Sequence, residues 1–165
     1  MKKILAILIV FILGILQSTV LDYIKIFRVK PDVLLISVIF FSLHFGKANF
    51  GLLVGFFSGL LEDILSNSLI GVNAFSFGLC GLIMGAQGNK IYKDSLSVQS
   101  LVSFIAALFI SLFSYCLFSL ISEAVRPFVE YFKYIIFPAS LYTALVSPAI
   151  FFILSKIFGR LSKIK

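Results

Sequence analysis

Seven carboxylates, one imidazole and two thiols are the side chains of this 165-residue sequence best suited to acid–base, nucleophilic or metal chemistry. Their spacing builds no common catalytic constellation. His44 is the single histidine and cannot supply a two-histidine metal site, and H-E-x-x-H is absent. There is no G-x-S-x-G elbow and no Walker A loop. Cys80 and Cys116 fall inside apolar runs, without C-x-x-C spacing or acidic neighbours, and read as small buried hydrophobes. Glu62 and Asp63 are adjacent, so on a helix their side chains diverge by about 100° and make a poor acid–base couple. The expectation is a protein that is not an enzyme, with no catalytic residue, no metal and no cofactor.

Glu62 and Asp63 still carry the sharpest polar signal. An unpaired acid at the centre of a bilayer costs about 2.5–3.5 kcal/mol on insertion scales. This pair lies about one turn from the end of an apolar run, where the cost is lower. One reading is a helix end reaching the interface. The other is a polar cavity or partner contact lined by Glu62, Asp63 and Asn73, with a turn over 67–71 folding Asn73 back towards the pair. Gln17, Ser18 and Thr19 form a second polar patch on the same membrane face, suited to hydrogen bonding between helices. His44 is expected at the interface, at the inner end of its helix.

The elements that must position these groups follow from composition. Hydrophobic residues make up 61% of the chain and charged residues 13%, against about 45–50% and about 25% in soluble domains. With a mean hydropathy of +1.13, a soluble protein of this size could not hide so much apolar surface. Long apolar runs, rather than short alternating strands, argue against an outer-membrane barrel and favour helices, which satisfy their own backbone in hydrocarbon. The expected fold is all-α: one integral-membrane domain over 1–165, with six spans near 4–21, 33–45, 49–66, 69–88, 96–122 and 135–158. Pro31 suits the first turn of the second span. The connection 123–134 is expected to be a polar loop.

Lys and Arg set the orientation. Lys2, Lys3, Lys47, Lys90, Lys93, Lys156, Arg160, Lys163 and Lys165 fall on one side, and Lys25, Arg28, Lys30, Arg126 and Lys133 on the other. Both termini are therefore expected in the cytoplasm. The net charge of +7 reflects this topology. Its scatter over short loops argues against nucleic acid as a partner, and the basic tail is suited to membrane lipids. Tyr23, Tyr92, Tyr131 and Tyr134 sit at span ends, where tyrosine anchors helices.

Nine of the eleven glycines lie between Gly46 and Gly88. Gly51, Gly55 and Gly59 recur every four residues, and with Ser58 they make one small face on the third span that runs into Glu62. Gly71, Gly78 and Gly85 recur every seven on the fourth, with Gly81 nearby. Small faces let helices approach closely in lipid, so spans three and four are predicted to form a tight hairpin. Pro148 interrupts the last span and would free carbonyls near Ala144.

The sequence resembles the rod shape-determining membrane protein MreD family over nearly its whole length. The resemblance rests on Leu16-Gln17-Ser18-Thr19, Lys30-Pro31-Asp32, the stretch Gly55-Phe56-Phe57-Ser58-Gly59-Leu60-Leu61-Glu62-Asp63, Gly71-Val72-Asn73-Ala74, Pro138-Ala139-Ser140-Leu141-Tyr142-Thr143-Ala144 and Ser147-Pro148. Thr143 stands where the resemblance leads us to expect Asn. The resemblance implies a scaffold of the cell-elongation complex (the elongasome) in the bacterial inner membrane, which helps position peptidoglycan synthesis. It implies direct binding to MreC, and association with MreB, RodA and its transpeptidase partner in the same complex; it leaves a homodimer open. It marks Gln17, Pro31, Asp32, Glu62, Asp63 and Asn73 as candidates for a partner contact or polar site. The implied fold resembles the substrate-binding subunit of energy-coupling-factor vitamin transporters, and such a subunit is the alternative function.

Overall fold

A computed structural model describes residues 2–19, 29–66, 69–88, 95–121 and 127–161. Lys25, Arg28, Lys90, Lys93, Arg126, Lys163 and Lys165, with Tyr23 and Tyr92, lie outside the described residues.

The described residues form six helices that alternate in direction: α1 (Lys2–Thr19), α2 (Val33–Phe45), α3 (Ala48–Leu65), α4 (Val72–Gln87), α5 (Leu96–Ile121) and α6 (Phe128–Leu161). The protein is an all-α, polytopic membrane protein. Four helices, α1, α3, α5 and α6, are long and apolar enough to cross a bilayer. α2 and α4 are shorter. Large apolar side chains such as Ile4, Phe11, Phe57, Leu101 and Phe152 are exposed on the outer faces, as lipid contact requires.

α2 is the axis of the bundle. Its 13 residues give a rod of about 20 Å, short of the roughly 30 Å hydrocarbon core. Every residue from Val33 to Leu43 is buried, because α1, α3, α4, α5 and α6 all pack around it. A helix apolar on every side is the pattern of a core helix. The irregular backbone that leads into it is buried in protein as well, at Val29 and Pro31, and this is the setting in which non-helical chain is tolerated at membrane depth.

Both ends of α2 have local causes. Asp32 caps the start, its carboxylate accepting from the Leu35 N–H at 2.8 Å. Pro31 therefore stands ahead of the cap, not in the first turn as the sequence suggested. At the other end Gly46 adopts φ 58° and donates its N–H to the Ser42 carbonyl. That left-handed stop favours glycine and lets α3 begin two residues later.

Among the described helices, α3 and α4 form the closest pair. A Cβ on Gly51, Gly55 or Gly59 would collide with the backbone carbonyl of Gly81, Phe77 or Asn73 respectively. The four-residue glycine period thus matches the line along which two helix backbones touch. Gly81 and Gly85 face α3 in the same way. Gly78 does not, since the nearest atom to its Cβ position is 3.7 Å away. Gly71 lies in the turn, with φ 106°, so α4 starts at Val72 and not near residue 69.

α6 begins earlier than expected. Residues 128–134, read from sequence as polar loop, are helical. Pro127 presets the backbone for a helix start, and the Tyr131 N–H bonds to its carbonyl at 3.0 Å. A π turn, Phe132–Ile136, follows within the helix. Further along, Pro148 removes one backbone donor, and the Ser147 hydroxyl donates to the Ala144 carbonyl at 3.0 Å.

Candidate functional site

The polar residues gather where α1 and α3 end and α2 begins. Gln17 sits in the last turn of α1 and is buried. Its carbonyl oxygen accepts from the Leu34 N–H at 2.8 Å, which fixes which way its amide faces. The amide nitrogen then donates to Glu62 Oε2 at 2.9 Å and lies 3.5 Å from Asp32 Oδ1. One side chain therefore ties three helices together. Gln17 and Asp32 also satisfy two of the amide donors that the start of α2 leaves open.

Thr143 closes the site from α6. Its hydroxyl accepts from the Asp32 N–H at 3.1 Å, and the residue is fully buried. The position where the resemblance would have Asn thus keeps a polar role with a shorter side chain. A cavity of about 180 Å³ adjoins this knot, lined by Gln17, Lys30, Asp32, Glu62, Ser111 and Thr143 together with apolar residues of α2, α5 and α6.

Asp63 points elsewhere, as its 100° offset from Glu62 dictates. Its carboxylate accepts from the backbone N–H groups of Gly71 at 2.8 Å, Asn73 at 3.1 Å and Ala74 at 3.2 Å. It is 1% exposed, and an acid so deeply placed needs several donors. Asp63 is thus a cap for α4 supplied by the preceding helix, acting on the positive end of the α4 dipole. The turn does bring Asn73 back to this pair, but through its backbone. The Asn73 side-chain oxygen accepts from the Ser114 hydroxyl on α5 at 3.3 Å, and Ser114 lies 3.4 Å from Ser76. Glu62, Asp63 and Asn73 therefore belong to two neighbouring arrangements, not to one shared pocket.

Lys30 and Asp32 are placed by their motif and Thr143 by its departure from the expected Asn, whereas Ser111 and Ser114 are polar contributors that sequence reasoning did not select. Ser18 and Thr19 turn their hydroxyls to carbonyls of their own helix, and so add nothing to the knot. Among the described residues of the site no nucleophile is hydrogen-bonded to a base. Among the described residues no group of three or more His, Cys, Asp or Glu side chains could hold a metal ion. What the arrangement offers is two carboxylates and a cation beside a small cavity, held on rigid helix ends.

The model of one family, described as rod shape-determining protein MreD, matches residues 1–161. No curated protein and no solved structure matches the chain.

Proposed function

Because the chain belongs to the MreD family of rod shape-determining proteins and acts in rod shape determination, we propose that it is a non-enzymatic scaffold of the cell-elongation complex in the bacterial inner membrane. In this reading it binds MreC within the membrane and so joins MreB, RodA and the RodA-associated transpeptidase to one assembly that directs lateral peptidoglycan synthesis. The family match over almost the whole chain carries the proposal.

Charge supports an orientation with both termini in the cytoplasm. At the end where α1 starts and α6 finishes, the described charged residues are Lys2, Lys3, Lys47, Lys156 and Arg160, all basic. At the other end they are Asp32, Glu62, Asp63, Glu130, Lys30 and Lys133. The basic end is the cytoplasmic one by the positive-inside rule, which puts the polar knot at the periplasmic side.

The knot is the proposed contact for MreC, through Glu62 beside the cavity. Glu62→Gln keeps a polar group of similar shape beside Gln17 but removes the charge. Glu62→Ala removes both. Co-purification of MreC from membranes, at matched protein levels, is expected to fall with Glu62→Gln and further with Glu62→Ala, with loss of rod-shape rescue. Full rescue and full MreC recovery by both variants would refute the contact.

A further inference from the structure

A second, larger cavity lies at the opposite end of the molecule. It measures about 570 Å³ and opens between α2, α5 and α6. That volume is within the roughly 300–1,000 Å³ of small-molecule sites. Its inner wall is aromatic. Phe40 and Phe151 meet edge to face at 5.5 Å, and His44 stacks on Phe40 at 5.7 Å and meets Phe158 at 5.2 Å. Gly159 borders the cavity, and nothing lies within 4 Å of where its Cβ would be. A glycine inside a helix costs about 0.5–1 kcal/mol relative to alanine, and here it leaves open space in the wall.

The mouth of the cavity is cationic. Lys2 lines it. The Lys156 ammonium lies 5.8 Å over the ring of Phe152, a lining residue, and Arg160 follows the lining residue Gly159 on the same helix. No carboxylate occurs at this end among the described residues. An occupant must then have an apolar part for the aromatic wall and an anionic part for the rim. An α-helix, about 10 Å across with its side chains, needs an open groove instead of a cavity of this size. We infer that this cavity binds one anionic phospholipid from the adjoining leaflet, an acyl chain lying against Phe40, Phe151 and Phe158 and the phosphate held by Lys2 with Lys156 and Arg160. The inference is independent of the scaffold role, because it uses the other end of the bundle.

The test is lipid retention by the full chain, reconstituted in phosphatidylcholine vesicles containing phosphatidylglycerol, extracted in mild detergent and weighed by native mass spectrometry. The wild type is expected to keep about one phosphatidylglycerol per chain, in preference to phosphatidylcholine. Gly159→Phe, from an open position, and Ser155→Phe, from another lining position, each fill the cavity, and either should lower retention about tenfold with thermal stability retained. Lys156→Glu with Arg160→Glu leaves the cavity open and should abolish the preference for the anionic lipid. Retention unchanged by filling the cavity would overturn the inference. So would equal retention of both lipids by the wild type, or cross-linking of Phe152-site probes to a second copy of the chain instead of to lipid.

Discussion

Gln17 uses its whole amide on three helices, and that gives it more consequence than any charged residue near it. Replacing it with leucine leaves the Leu34 N–H and a Glu62 oxygen without their partner in a buried setting. An unsatisfied buried group costs about 1–3 kcal/mol, so Gln17→Leu should lower stability by about that amount in reversible unfolding in detergent micelles. Ser18→Ala, one residue on, should change it by less than about 0.5 kcal/mol. Asp63→Ala should cost about 1–2 kcal/mol through loss of the α4 cap, seen as faster proteolysis at the turn after α3. The residue types here were legible: an acidic pair and a polar patch stand out in an apolar chain. Their partners were not, because adjacency in sequence says which faces Glu62 and Asp63 take but not which helix lies opposite. Thr143 illustrates this, being 111 residues from the Asp32 N–H it accepts.

At the scale of elements, the glycine period foretold the α3–α4 hairpin, since small residues every four positions have meaning only where another backbone comes close. Gly55→Ala would drive its methyl into the Phe77 carbonyl and push the helices apart, at about 1–3 kcal/mol. Gly78→Ala meets only ordinary contacts and should be tolerated or slightly stabilising, because alanine is the better helix former. Thermal unfolding of the two variants in the same detergent distinguishes them. The fourth span shows where a period misleads: Gly71, Gly78 and Gly85 share a spacing but serve as a turn residue, a position of ordinary contact and a close backbone approach. The start of α6 and its π turn were not legible either. Glu130 and Lys133 read as loop in a membrane protein, yet Pro127 can open a helix that leaves them exposed at its outer end.

Taken as a whole, the molecule is a short apolar axis wrapped by longer helices, with a polar knot where that axis begins and a cationic cavity near where it ends. The membrane class and the six helices follow from composition and run length alone. The central place of α2 does not, because a fully buried helix carries no amphipathic pattern to orient it; only its unusual shortness marked it. The charge asymmetry predicts that, in a chain whose own Cys80 and Cys116 are replaced, a cysteine at Lys3 is shielded from impermeant thiol reagents in intact cells and one at Glu130 is labelled. The reverse pattern would invert the orientation and move the knot to the cytoplasmic face. The central claim is membership of the cell-elongation assembly, and affinity purification of the tagged full chain from its native membranes, with mass spectrometry of what accompanies it, tests that most directly. The account predicts MreC, together with RodA or its transpeptidase partner. Recovery of paired ATPases with a transporter coupling subunit, and no MreC, would contradict it.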